Sequence, residues 1–203
     1  MRLRENRVAT SGRSAIFIAL EGVVWDRREL AERGPLGANA LAGALDGLRL
    51  LARAEVPLYL VANGRELPRA DPCAELARLG VLVAGLITCP HGADVVSRRK
   101  ALTKELRRRA RQDELALATS LFIGDTWSLA EAALGLGCQP VLVMTGRGRA
   151  QIALPQTTTV RARTWYAADM ALAACSALAH FLGDDPLLTT LALPQERERS
   201  TVA

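Results

Sequence analysis

Four polar side chains that could together hold a phosphate group and a divalent cation are spread along this sequence. Glu21 and Asp125 carry carboxylates. Asn63 carries an amide, and Lys100 carries an ammonium group. Carboxylate oxygens are ligands that Mg²⁺ prefers, whereas amide and ammonium groups donate hydrogen bonds to phosphate oxygens. If the fold brings these groups together, the chemistry they suit is the binding of a phosphorylated compound with a metal ion.

Each of these residues also has an ordinary structural explanation. Asn63 is followed by Gly64, a pair that is common in turns, and Asp125 could cap a following helix. Glu21 could be an exposed loop residue, and Lys100 could lie on the surface of a helix. The chemical interpretation therefore depends on the elements that position the four side chains.

Short apolar runs alternate with segments of helical periodicity along most of the chain. The run 15–20 suits a strand covered on both faces, and the leucines of 39–54 recur at helical spacing. This alternation predicts a single Rossmann-like α/β domain with a mostly parallel sheet, helices on both faces and no sizeable cap domain. The remaining predicted strands are 56–62, 82–88, 121–124 and 140–144, and the remaining predicted helices are 68–79, 99–112, 127–136 and 167–182.

Ligands of such a sheet bind beyond the carboxyl ends of its strands. The predicted strands end at Glu21, at Asn63, at Cys89 with nearby His91, and at Asp125. Because these ends meet at one edge of a parallel sheet, we expect their side chains to converge there.

The length and composition indicate one domain rather than two. The chain has 203 residues, of which 50% are hydrophobic, enough for one core of ordinary size. We predict a basic, flexible N-terminus at 1–14, the α/β domain at 15–182 and a disordered tail at 183–203. Four widely spaced cysteines are expected to be reduced thiols. No segment has the length of a membrane span or the apolar core of a signal peptide, so we expect a cytoplasmic protein.

Positive charge is concentrated in one segment. The net charge is +5, and residues 98–111 contain eight arginines or lysines against one acidic residue, Glu105. Such a segment is either a solvated helix face or a surface that docks a phosphate, a nucleic acid or an acidic protein. Nucleic acid is the less expected partner, although the basic helix 99–112 does not exclude it, because no aromatic residue is interleaved with the cations.

Five short motifs resemble those of the haloacid dehalogenase superfamily, in its branch of D,D-heptose 1,7-bisphosphate and histidinol phosphatases. The resemblance covers about 14–182. It rests on Ala19-Leu20-Glu21-Gly22-Val23 at the first strand end, Ala62-Asn63 at the second, Lys100 in "SRRKALTKEL", Gly124-Asp125 in "GDTWSLAEAA", and "VLVMTGRG" after it.

The resemblance implies a role for each matching residue. The family's nucleophilic aspartate corresponds to Ala19, and its acid–base aspartate corresponds to Glu21. Asn63 and Lys100 correspond to positions that bind phosphate, and Asp125 corresponds to a magnesium ligand. Mg²⁺ is thus the implied cofactor if a ligand site survives.

The stretch "TCPHG" also resembles this branch, in which a Cys-Pro-His sequence begins a zinc loop that two further cysteines close. Cys89 and His91 match, but residues 92–100 contain no cysteine. A structural zinc requires four ligands. With two left, zinc is not the expected cofactor.

The sequence departs from the family pattern at several chemically important points. A methyl group at Ala19 cannot form an aspartyl-phosphate. Val23 and Ala62 lack the hydroxyl groups of the family motif, and Leu129 replaces a later aspartate. Losing the nucleophile of such a unit costs several powers of ten in rate.

These losses favour a non-catalytic pseudophosphatase that acts as a binding, regulatory or structural subunit with a protein partner. One alternative is a Mg²⁺-dependent phosphatase of small sugar or amino-alcohol phosphates, in which Glu21 activates water. Another is a sensor that binds a phosphorylated metabolite without hydrolysing it.

Overall fold

Six parallel strands form the centre of the described part of the chain. The computed structural model describes residues 12–26, 40–64, 71–89 and 94–182. The strands are β1 (Ile16–Ala19), β2 (Leu58–Asn63), β3 (Gly85–Cys89), β4 (Leu121–Gly124), β5 (Gln139–Val143) and β6 (Trp165–Ala167). Their order across the sheet is β3-β2-β1-β4-β5-β6.

The strand order reverses beside β1, which pairs with β2 on one side and β4 on the other. Ala19 lies opposite Val61 of β2, and Ile18 lies opposite Ile123 of β4. This reversal opens a crevice beyond the carboxyl ends of β1 and β4, where open α/β sheets bind their ligands.

Helices cover both faces of the sheet. The described helices are α1 (Ala44–Ala52), α2 (Pro72–Arg78), α3 (Val95–Gln112), α4 (Trp127–Leu136), α5 (Gly148–Ile152), α6 (Thr158–Ala162) and α7 (Met170–Leu182). α1 packs against α7, and α3 packs against α4. Right-handed crossovers place these two pairs on opposite faces. The α/β class predicted from the sequence is confirmed.

The strands owe their burial to continuous apolar sequence. Every residue of β1 is buried, and the Phe17 ring stacks between those of Tyr59 and Phe122 at centroid distances of 5.6 and 6.3 Å. Offset stacking of this kind adds to the free energy gained by burying the rings. The three rings pack β1 against its two neighbouring strands.

One helix start and one helix cap differ from the sequence predictions. α3 begins at Val95 rather than near residue 99, because the Asp94 carboxylate accepts hydrogen bonds from the Ser97 N–H and hydroxyl, both 2.8 Å long. α4 is capped by Thr126, whose Oγ1 accepts from the Leu129 N–H at 3.4 Å. Asp125 is therefore not the cap of that helix.

Three elements were missed by sequence reasoning. β6 has three residues and α5 and α6 have five each, too few to show a period. Other boundaries shifted by a few residues. The predicted tail, 183–203, and most of the predicted N-terminus lie outside the described residues. Within the described ranges, no helix is both long and apolar enough to cross a membrane.

The crossing of α1 and α7 yields a stability prediction with a matched control. A Cβ at Gly47 would lie 2.5 Å from the Met170 carbonyl oxygen, whereas a Cβ at Gly135 of α4 would meet nothing within 4 Å. We expect Gly47→Ala to destabilise the protein by about 1–3 kcal/mol through overpacking. Gly135→Ala should stabilise it by about 0.5–1 kcal/mol through helix propensity. Chemical denaturation measures both, and a shift of the two variants in the same direction would contradict the packing described here.

Candidate functional site

A cavity of about 440 Å³ opens beyond the carboxyl ends of β1 and β2, between the first turns of α3 and α4. The strand ends contribute Ala19, Glu21, Ala62 and Asn63, and the helices contribute charged and apolar side chains. The structure thus brings together several residues that the sequence placed at strand ends. Residues of other elements also line the cavity, among them Cys89, Val95, Arg98, Arg99, Leu102, Trp127, Leu129, Glu131, Arg147, Gln151, Leu154 and Pro155.

Ala19 ends β1 at the bottom of this cavity. It is 3% exposed, and its register opposite Val61 is fixed by the parallel ladder. The backbone therefore places residue 19 where a reactive side chain could contact a ligand in the cavity, yet the side chain there is a methyl group. Such a group can neither attack phosphorus nor bind a metal ion.

Glu21 is a buried carboxylate held by the neighbouring strand. It is 4% exposed, and its Oε1 accepts a 3.0 Å hydrogen bond from the Asn63 backbone N–H. Glu21 and Asn63, predicted separately from sequence, are thus direct partners. The hydrogen bond fixes the carboxylate at the cavity wall and occupies part of its accepting capacity.

Asp125 is completely buried and packs between two glycines. Gly22 has φ +81° and Gly146 has φ +53°, and a Cβ on either would lie 2.0 or 2.7 Å from Asp125 Oδ2. That oxygen accepts a 3.1 Å hydrogen bond from the Arg147 N–H. Thr145 Oγ1 donates to the Gly22 carbonyl at 2.8 Å. These contacts join the loops after β1, β4 and β5.

The described donors do not fit a magnesium ion. Asp125 is absent from the cavity wall, Ala19 offers no oxygen, and Leu129 fills the place of the later family carboxylate. Among the described residues, no group of three or more His, Cys, Asp or Glu side chains could hold a metal. Magnesium requires near-octahedral oxygen coordination, usually including carboxylates.

Lys100 lies away from the cavity. It is exposed and is the sixth residue of α3, where it lines a different groove. Successive helical residues point about 100° apart, so Arg98 and Arg99 line the cavity whereas Lys100 lines the other groove. Arg99 forms an ion pair with Glu131 of α4.

Three guanidinium groups were missed as candidates among the described cavity residues. Arg98 and Arg99 come from α3, and Arg147 comes from the loop after β5. The side chains of Arg98 and Arg147 are exposed. The run Arg98-Arg99-Lys100 signalled cations near the site, but choosing among them requires the helical phase.

Apolar side chains form much of the opposite wall. Leu129 packs against Gly124, where an added Cβ would lie 2.9 Å from its Cδ1. Trp127 is held by Gln151, whose Oε1 accepts from its backbone N–H at 3.0 Å and whose carbonyl accepts from its indole N–H at 2.6 Å. The two residues that lack the hydroxyl groups of the family motif lie in different places. Ala62 lines the cavity, whereas Val23 is fully buried in the core.

Cys89 lines the cavity as a protonated thiol. Burial, together with the negative charges of Glu21 and Glu105, raises the pKa of Cys89 to about 12. Cys73, Cys89, Cys138 and Cys175 are all free, as expected for reduced thiols. His91 lies outside the described residues, so the zinc candidates Cys89 and His91 remain untested.

Two curated relatives resemble the chain over most of their length. It is 32% identical over 161 residues to D-glycero-beta-D-manno-heptose-1,7-bisphosphate 7-phosphatase from Bordetella bronchiseptica, covering 71% of this chain and 90% of that protein. It is 33% identical over 135 residues to the enzyme of the same name from Pseudomonas putida, covering 59% and 77%. No family model matches the sequence.

Solved structures agree with these relatives. The D,D-heptose 1,7-bisphosphate phosphatase from B. bronchiseptica, complexed with magnesium and phosphate, superimposes with a TM-score of 0.65 at 27% identity, covering 81% of this chain and 98% of that one. The Burkholderia thailandensis enzyme has a TM-score of 0.57 at 20% identity, covering 82% and 99%, and supports the fold alone.

The position of Cys89 beside Glu21 yields a reactivity prediction. The thiolate is the form that alkylates, and a nearby negative charge disfavours it. Glu21→Gln keeps a side-chain oxygen for the Asn63 N–H but removes the charge, so the pKa of Cys89 should fall. We expect its iodoacetamide alkylation between pH 8 and 10 to accelerate several-fold, as measured by peptide mass spectrometry.

Cys138 is the internal control for this experiment. Burial alone raises its pKa to about 12, so Glu21→Gln should leave its alkylation rate unchanged. Equal acceleration at both cysteines would indicate general loosening of the fold rather than an electrostatic contact between Glu21 and Cys89.

Proposed function

The chain belongs to the haloacid dehalogenase superfamily, in its D,D-heptose 1,7-bisphosphate phosphatase branch, and we propose that it binds a phosphorylated small molecule without forming a covalent phosphoenzyme. The ligand class we propose is a sugar phosphate, in keeping with the names of its relatives. The proposed binding site is the strand-end cavity.

The observation that carries the non-covalent part of this proposal is the methyl group of Ala19. The residue is buried at the end of β1, where neighbouring strands fix its backbone. Of the other described acids at the cavity, Glu21 is held by the Asn63 N–H and Glu131 by Arg99. An acyl-phosphate would have to form on one of these hydrogen-bonded carboxylates, neither of which ends the central strand.

Charge supports the binding part of the proposal. Arg98, Arg99 and Arg147 set three guanidinium groups against the carboxylates of Glu21 and Glu131 among the described cavity residues. Guanidinium groups bind phosphate oxygens through paired, charge-assisted hydrogen bonds. Because Arg99 is paired with Glu131, Arg98 and Arg147 are the residues proposed to contact the phosphate, in place of Lys100.

The polar cavity wall suits the sugar part of the same ligand. The Asn63 side chain is half-buried at the end of β2, and Ser128 and Gln151 add a hydroxyl and an amide. These groups can exchange hydrogen bonds with sugar hydroxyls, and Trp127 offers an apolar surface beside them.

A second candidate function is phosphate ester hydrolysis. Two relatives at 32% and 33% identity are named as phosphatases, and the buried Glu21 carboxylate remains at the position of the family's acid–base residue. In this hypothesis Glu21 removes a proton from a water molecule that attacks phosphorus directly, the P–O bond to the sugar breaks, and the proton returns to the departing sugar oxygen. No enzyme-bound phosphate forms.

A protein-binding subunit was the leading sequence hypothesis, and it stays a prediction. It is compatible with ligand binding at the cavity, since a regulatory subunit can carry a ligand site. A pull-down from the native source with mass spectrometry is the experiment that names a partner.

The binding proposal predicts ligand-dependent stabilisation. A panel of sugar mono- and bisphosphates that includes heptose 1,7-bisphosphate should contain a compound that raises the melting temperature, because saturating a site at about 100 times Kd adds about 2.7 kcal/mol. Replacing Arg98 and Arg147 together by Gln should weaken binding at least about tenfold, as charge-assisted hydrogen bonds are lost.

The matched control removes the same charge elsewhere. Arg53 and Arg78 are exposed at the ends of α1 and α2, outside the cavity wall. Their joint replacement by Gln should leave the ligand-induced shift unchanged. A panel without any stabilising compound, or an equal loss in both double variants, would contradict the proposed site.

Hydrolysis is distinguished by a second measurement. If the protein binds without turnover, phosphate release from the stabilising ligand stays at the rate without protein, both in the wild type and in Glu21→Gln, with or without Mg²⁺. Release that the wild type supports and Glu21→Gln abolishes would establish the second candidate instead. Release that survives in Glu21→Gln would point to a contaminating phosphatase, which further purification removes.

A further inference from the structure

One face of α3 carries a continuous stripe of positive charge. Lys100, Lys104, Arg107 and Arg111 follow one another at intervals of four, three and four residues. This spacing keeps side chains on one face of a helix, and it extends over about 16 Å at 1.5 Å per residue. All four side chains are exposed, and all four line the same groove. We call this set the cation stripe.

Three of the other four arginines of α3 form ion pairs with acidic residues, and Arg98 is the exception among the described residues. Arg108 pairs with Glu105, and Arg109 lies 3.5 Å from a carboxylate oxygen of Asp113. Arg99 reaches Glu131 of α4. The fold therefore supplies counter-charges on the neighbouring faces of the same helix.

The cation stripe differs from those faces. Within the part of the chain that the structure describes, none of its four side chains forms an ion pair, and Arg107 donates to the Gly135 carbonyl at 3.4 Å. Like charges at i, i+4 destabilise a helix by a few tenths of a kcal/mol per pair. An acidic partner would reverse that unfavourable contribution.

The groove beside the cation stripe has space for a second element. It has a volume of about 910 Å³ between α3 and α4, and its α4 side consists of Ala132, Gly135 and Glu131, whose charge is paired with Arg99. A Cβ at Gly135 would meet nothing within 4 Å. Small residues on this side allow another backbone to approach closely.

We propose that this groove docks an acidic helical segment of a partner protein. Carboxylates spaced at four, three and four residues on the incoming helix would face the four cations in register. The small apolar floor favours a helix, whose own small side chains can contact it, over a nucleic-acid backbone. The described groove also lacks an aromatic side chain on which a base could stack.

The test uses a labelled alanine-based helical peptide whose glutamates have the spacing of the cation stripe. Fluorescence anisotropy should detect binding that weakens as salt is added. A second peptide of the same composition, with its glutamates distributed around the helix, should bind at least about fivefold more weakly, because fewer of its charges can reach the stripe.

Two variants and one control variant test where the peptide contacts the protein. Replacing Lys104 and Arg107 by Gln should weaken peptide binding about fivefold, the effect of losing two exposed ion pairs. The Arg53→Gln, Arg78→Gln double variant loses the same charge on other helices and should bind as the wild type does. Gly135→Phe fills the groove without changing charge and should also weaken binding, with circular dichroism confirming that the helices remain.

Three results would overturn the proposal. The first is equal binding of the two peptides, which indicates unspecific attraction. The second is tighter binding of duplex DNA of similar length through the same two cations, which assigns the groove to nucleic acid. The third is the absence of any peptide binding at low salt.

Discussion

The Asp125 carboxylate, wedged between Gly22 and Gly146, holds the functional edge of the sheet together. Its Oδ2 would lie 2.0 Å from a Cβ at position 22, and it accepts from the Arg147 N–H. Both glycines have positive φ, a conformation that costs other residues free energy. Three loops after three strands thus meet at one buried carboxylate, and the cavity wall beside them takes its shape from this contact.

These contacts give Asp125 a structural role in this chain. In this chain the carboxylate stabilises loops through packing and a hydrogen bond, so its retention requires no metal. Glu21 likewise holds the Asn63 N–H. Two positions that serve chemistry in the family pattern, Glu21 and Asp125, here make structural contacts, while Ala19 and Leu129 carry no carboxylate at two others. The cavity has positive charge and a partly apolar wall, and both features suit the binding of a phosphorylated ligand.

Much of the fold follows from the sequence because apolar runs such as 15–20 and 121–124 can form only buried strands in this context. From the predicted strand ends we expected Glu21, Asn63 and Cys89 to converge, and all three line one cavity. The phosphate-binding assignment of Lys100 could not be checked from sequence, because it depends on which residues of α3 face the cavity, and the packing of α3 against the rest of the fold decides that. The contact of Asp125 with Gly22 and Gly146 could not be predicted from the sequence, because it joins residues far apart in the chain.

The proposed function requires that the cavity holds a phosphorylated small molecule and leaves it intact. Phosphorus-31 NMR of a sugar phosphate mixed with the purified protein observes both properties in one sample. We expect a broadened or shifted ester resonance that the free ligand lacks, with no growth of the inorganic phosphate signal over time. A growing inorganic phosphate signal that depends on Glu21, or an ester resonance that the protein leaves unchanged for every sugar phosphate tried, would contradict it.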